Sequence, residues 1–241
     1  VLLATLYVTS FVAIEAGLEF FTPLYFAGIR YLVAGLVILA YAGLTNDRWV
    51  PRGRNGILTV LIVAGFIIFG SHGFLYVGQQ YVPGPVAAII VSLSPVLTVF
   101  FASLALGRGM PRLHEGLGFL LGIGGVLVIA QPDPNALGSS NLIGIGLVFL
   151  STASFALGGV LTRPVRTDLP VETIQGWSMV GGAAMLAGVG NVRGESLSDV
   201  ELTLPGAMAL TYLTLFSGVV AFLLYFTLLD DLGPIEMSFI E

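Results

Sequence analysis

The run "VAAIIVSLSPVLTVFFASLALG", residues 86–107, holds twenty-two residues and not one charge. About 20 apolar residues is the length an α-helix needs to cross the hydrocarbon core of a bilayer. Runs of this kind recur along the chain, cut apart by short stretches rich in glycine, proline and arginine. They are far too long for β-strands and show no two-residue alternation, which excludes a soluble all-β fold and an outer-membrane barrel. Composition closes the argument. Hydrophobic residues make up 56% of the chain and charged residues only 10%, with a mean hydropathy of +0.97. A soluble domain carries about 25% charged residues to solvate its surface. The expected fold class is an all-α membrane protein.

The punctuation predicts helices over 1–17, 22–44, 56–80, 85–106, 115–131, 141–162, 172–190 and 205–229, with a ninth starting near Pro234 and cut short. "FLYVGQQYVPGPVAAII" (74–90) is then a helix-loop-helix corner. Pro85 suits a first helical turn, where its missing N–H is not needed, and Gln79, Gln80 and Tyr81 are expected at the wet interface. Val1 already lies inside an apolar run with no charged segment before it, so a cleaved signal peptide is not expected. A fragment shortened at both ends is expected instead. Arginine sets the orientation, because positive loops stay in the cytoplasm. Arg48, Arg52 and Arg54 fall in loop 45–55, Arg108 and Arg112 in loop 107–114, and Arg163 and Arg166 in loop 163–171. The alternate loops hold only Arg193, beside Glu195, Asp199 and Glu201. A multi-pass protein of the inner or plasma membrane follows, with those three loops inside and corner 74–90 outside.

Several chemistries are excluded. Cysteine is absent, so there is no disulfide framework and no thiolate metal site. His72 and His114 have no metal-ligand spacing. No Walker loop is present for ATP-driven transport, and "GIGGVLVIAQPD" (122–133) lacks the strand that dinucleotide binding requires. "GSHG" (70–73) lacks the strand-turn-helix setting of a nucleophile elbow. A net charge of −5 argues against nucleic acid as a partner. No cofactor and no enzymatic activity are expected, and nothing specifies an oligomeric state.

The corner recurs. "LYVGQQYVPGPV" (75–86) lies over "LYFTLLDDLGPI" (224–235) without a gap, which sets Tyr76 on Tyr225 and Gly84-Pro85 on Gly233-Pro234. A second echo pairs "TSFVAI" (9–14) with "ASFALG" (153–158). By the arginine count the two copies run in opposite directions, and inverted repeats are a signature of secondary transporters with a midplane site. "FAGIRYLVAG" (26–35), with its intramembrane arginine, resembles the second helix of the EamA-type repeat of the drug/metabolite transporter superfamily. "VAAIIVSLSPVLTVFFASLALG" resembles its fourth, "GLGFLLGIGGVLVI" (116–129) its glycine-rich fifth, and "GIGLVFLSTASFALGGVLTR" (144–163) its sixth. One departure is Gly107-Arg108, where the family commonly has Gly-Glu; Glu115 lies nearby. The resemblance implies a ten-helix bundle of two inverted five-helix repeats that moves small metabolites. Here it would be truncated to about eight helices and the start of a ninth: a first repeat over 1–131, an external linker over 132–140 and a second repeat over 141–241.

Polar groups inside a bilayer are costly and invite explanation. Helical spacing sets His72, Tyr76 and Gln79 on one face, and Thr211, Thr214, Gly218, Ala221 and Tyr225 on another. The offset superposes these stripes as walls of one cavity. Candidate substrate-binding residues are therefore Ser10, His72, Tyr76, Ser154, Thr214 and Tyr225. The plainer reading is that such hydroxyls bond helix to helix. His72 can take and release a proton, which makes a proton the candidate coupling ion beside a small-molecule substrate. Arg30 lies roughly 12 Å below the outer surface at 1.5 Å per residue. Glu15 is its expected partner, either in a structural ion pair or in one that opens for an acidic substrate. Two alternatives stand beside the metabolite transporter. A nucleotide-sugar or lipid-linked carrier of related fold would need more cation at the cavity than Arg30 supplies. An intramembrane enzyme would need converging titratable groups.

Overall fold

A computed structural model of the chain describes residues 2–105, 121, 124, 125, 140–165, 167–200 and 203–221. Most of the expected helix 115–131, the start of the ninth, and Arg108, Arg112, Arg166 and Tyr225 lie outside the described residues. Every element among the described residues is helical. We label them α1 (Leu2–Gly17), α2 (Pro23–Thr45), α3 (Gly53–Gly78), α4 (Gly84–Ala105), α5 (Ser140–Thr162), α6 (Val171–Val192) and α7 (Leu204–Val220). Four of them, α2 to α5, are long and apolar enough to cross a membrane.

Local chemistry explains the breaks. Pro23 opens α2 in the first turn, and no side chain of its own caps that end. Glu195, from the α6–α7 connection, does so instead: its Oε2 accepts from the N–H groups of Leu24 (2.9 Å) and Tyr25 (3.3 Å). An anion there also suits the positive end of the helix dipole. At the 83–85 corner the helix begins at Gly84, one residue before the expected start. Glu15 caps it, accepting from the Gly84 N–H at 2.8 Å. Midway, α4 is divided into Gly84–Val91 and Ser94–Ala105. Pro95 has no N–H to give and its ring collides with the carbonyl four residues back, so the break falls just before it.

Helix α3 widens in the middle and α7 over its second half. Val63–His72 and Tyr212–Val220 are π-helical, a rare conformation that is frequent at functional sites. Val63 and Tyr212 stand 149 residues apart, the offset that carries Gly84-Pro85 onto Gly233-Pro234.

Glycine governs the packing, because small residues let helices approach closely. Helices α2 and α6 run antiparallel. Gly190 meets Tyr25 at one end of the crossing, and Gly176 meets Gly35 and Leu39 at the other. A Cβ on Gly35 would stand 2.9 Å from the Met179 Cβ. Helix α3 lies against both α5 and α6: Gly70 faces Ser154, and Gly182 faces Ile68. Side chains on the outside, among them Val12, Leu36, Leu104, Leu150 and Phe216, are apolar and exposed, which lipid solvates and water would not. Within, Ile14, Phe26, Tyr76, Ile90, Leu186 and Leu213 are fully buried.

Helices α1 to α4 alternate in direction, as do α5 to α7, and α5 runs antiparallel to α3. One end gathers Glu15 with Gly84, and Glu195 with Leu24. The other gathers the 45–53 and 162–171 connections: Thr173 donates to the Arg48 carbonyl (3.1 Å) and the Trp177 indole N–H to that of Trp49 (2.9 Å). There a cleft of about 520 Å³ is lined by Arg48, Arg52, Arg54, Trp49 and Asp168.

Candidate functional site

Among the described residues Arg30 is the only charged side chain that is buried. It sits on the second turn of α2, where the sequence "FAGIRYLVAG" surrounds it with apolar and small residues. An arginine at the centre of a membrane helix costs about 2.5–3.5 kcal/mol on insertion scales, so its surroundings must offset much of that. They do so with neutral groups. The Nη1 group donates to the Tyr76 hydroxyl at 2.8 Å, and Nη2 donates to the Ser217 hydroxyl across a long 3.5 Å. The guanidinium carbon lies 4.9 Å from the centre of the Tyr31 ring, within cation–π range. Its Nε–H has no acceptor.

Tyr76 is held as firmly as it holds. Its ring is fully buried and meets Phe26 edge-on at 5.4 Å, and Phe26 in turn stacks on Phe21 at 4.8 Å. The π stretch of α3 ends four residues earlier at His72, which is half-buried and packs edge-on against Tyr31 at 4.6 Å. The Nδ1 of His72 lies 2.9 Å from the Ile67 carbonyl. A carbonyl only accepts, so this bond fixes the proton on Nδ1. Tyr76 and His72 thus both face α2, whereas Gln79 turns to α1 and donates to the Phe11 carbonyl at 3.1 Å. Gln79 is buried, not at the wet interface where the sequence reading set it, because α1 covers it.

From the other side comes α7. Its π stretch buries Leu213, Thr214, Ser217 and Gly218. Thr214 is 4% exposed, and its hydroxyl has no hydrogen-bond partner. Thr211, expected on the same stripe, is exposed, because the wider π turn rotates the face away from a 3.6-residue register. Gly218 brings α7 against Ala34, one turn along α2 from Arg30.

The remaining sequence candidates are elsewhere. Ser10 bonds back to the Tyr7 carbonyl of its own helix, and Ser154 donates to the Phe66 carbonyl of α3 at 2.8 Å. Both satisfy backbone. Glu15 and Arg30 do not form an ion pair: Glu15 caps α4, and Arg30 turns inward to Tyr76 and Ser217. The cap explains why, since a carboxylate at the outer surface finds the start of a helix at 2.8 Å, whereas Arg30 points into the bundle. Tyr225 lies outside the described residues. Sequence reasoning missed Ser217 and Tyr31. Ser217 beside Gly218 was the available signal, since a hydroxyl next to a small residue on a buried face has room for a partner from a neighbouring helix.

Known proteins resemble the chain along most of its length. The EamA-like transporter family matches residues 1–131 and 142–241. The chain is 28% identical over 228 residues to the uncharacterized inner membrane transporter YedA of Escherichia coli strain K12, covering 94% of this chain and 71% of that protein. It is 29% identical over 222 residues to the uncharacterized transporter YvbV of Bacillus subtilis strain 168, covering 90% and 69%. One crystal structure superposes with a TM-score of 0.64 at 20% identity, covering 91% of this chain and 74% of that one. That likeness concerns the fold alone.

Proposed function

This chain belongs to the EamA-like transporter family, and on that premise we propose that it is a secondary transporter carrying small metabolites by alternating access between two inverted repeats. The observation that carries the reading is the meeting at Arg30. Tyr76 reaches it from the first half of the chain and Ser217 from the second. A polar centre shared between two halves is what a rocking carrier requires, since each half must lose and regain its contacts as the site changes sides. Further support comes from the antiparallel crossing of α2 and α6, from the two π stretches at the 149-residue offset, and from the family's match to 1–131 and 142–241.

The membrane is the cell's inner or plasma membrane, the compartment printed for YedA. Loops 45–55, 107–114 and 163–171 face the cytoplasm, by their arginines. A proton is the coupling ion to test first, with His72, packed edge-on against Tyr31, as its candidate carrier. Metabolite profiling of cells with and without the full-length gene identifies candidate solutes. Uptake of those solutes into membrane vesicles is then measured at varied pH and sodium. The expected result is saturable uptake that collapses when a proton or sodium gradient is removed. Single cysteines introduced at opposite ends of the bundle should change their labelling in opposite directions when solute is added. Uptake that never saturates, with both ends labelled together, describes a channel and ends the proposal.

A further inference from the structure

A guanidinium carries five N–H donors in a rigid fork. In Arg30 the Nη1 group is engaged at 2.8 Å by Tyr76, but the opposite edge is underused. There Nε–H has no acceptor, and Nη2 has only the 3.5 Å contact to Ser217. These two groups lie on the same edge of the planar head, the edge on which a carboxylate binds with both oxygens. No carboxylate among the described residues takes that place, since Glu15 is committed to Gly84. Tyr76, Tyr31 and Ser217 therefore hold the head in position without neutralising it. A second unpartnered polar atom, the Thr214 hydroxyl, belongs to the same buried π stretch as Ser217.

Resting on the transporter reading above, we propose that the substrate is an organic anion whose carboxylate docks on the Nε–Nη2 edge of Arg30. The buried positive charge then has its counter-ion only when substrate is bound. A neutral or cationic metabolite leaves the charge bare, which discriminates against it. The hydroxyls of Ser217 and Thr214 are the groups α7 offers to a second polar atom of the substrate.

The test is a binding titration, followed by thermal unfolding, on the purified full-length protein in detergent micelles. The probes are 2-oxo, 2-hydroxy and 2-amino carboxylates, each set beside its own primary amide. At least one acid should raise the Tm saturably while its amide does not. Arg30→Gln should weaken that acid roughly tenfold to a hundredfold, the loss expected for a hydrogen bond to a charged group. Arg30→Lys, which keeps the charge without the fork, should restore only part of the affinity. Should Arg30→Gln fail to fold, Arg30→Lys carries the test, and it must bind the acid more weakly than the parent does. An amide that binds as well as its acid overturns the proposal. So does an acid response that survives Arg30→Gln, an Arg30→Lys protein that binds the acid as tightly as the parent, or a panel with no response at all. Vesicle uptake separates the two readings. A neutral solute transported independently of Arg30 removes the anion site and leaves the transporter. Acids that bind but are never transported leave the site and remove the transporter.

Discussion

Tyr76 and Thr214 are both buried hydroxyl residues of the same bundle, yet their substitution should have opposite consequences. Removing the Tyr76 hydroxyl takes the closest acceptor from a buried cation. Tyr76→Phe should therefore lower stability by about 1–3 kcal/mol, the cost of an unsatisfied buried donor. The Thr214 hydroxyl has no partner to lose. Thr214→Val keeps the shape and removes an unpaired polar atom, so its unfolding temperature in micelles should equal or exceed that of the parent. At this scale the sequence was partly readable. Arg30 and Tyr76 stood out because polar groups in long apolar runs are rare, and both reach the site. Their partnership did not, because Glu15 was the nearer charge in sequence and the bond to Ser217 spans 187 positions.

At the scale of elements, the helix ends that fall among the described residues agree with the sequence reading to within three residues. Proline, glycine and arginine mark the edges of apolar runs whatever happens inside them. What happens inside was not legible. A π turn leaves no mark on hydropathy, and a period of 3.6 assumed across α7 set Thr211 on the wrong face. The sequence reading ran one helix over 85–106, although Pro95 was the available sign of the break in α4. The α3–α5 contact offers a direct check on how tightly these elements are seated. A Cβ on Gly70 would lie far inside contact distance of the Ser154 Oγ, whereas one on Gly65 would meet nothing within 4 Å. Gly70→Ala should destabilise the protein by roughly 1–3 kcal/mol, as overpacking does, while Gly65→Ala should cost no more than a few tenths. Because the obstacle at Gly70 is the serine oxygen, Ser154→Ala in the same chain should recover part of the loss. A double-mutant cycle on thermal unfolding reads that coupling, expected at about 0.5–3 kcal/mol for residues in contact.

For the whole molecule, class was the most legible feature, since it follows from solvent. A chain with so little charge must sit in lipid, and lipid admits only helices or closed barrels. The order of the helices in space was not written so plainly. The central antiparallel pair, α2 with α6, depends on glycines at 35 and 176 meeting across a crossing that no local pattern reveals. The unneutralised charge of Arg30 has a kinetic consequence for the proposed carrier. On the proposed mechanism, a bundle that closes empty leaves Arg30 with neutral hydroxyls and a ring face, and one that closes on an organic anion matches the charge. Returning unloaded should then be the slow half of the cycle, and the protein should swap one solute for another faster than it releases a net amount. A difference of about 1.4 kcal/mol between the two barriers makes that ratio tenfold. Vesicles preloaded with solute should accordingly take up labelled solute roughly ten times faster than empty ones, and Arg30→Gln should erase the advantage.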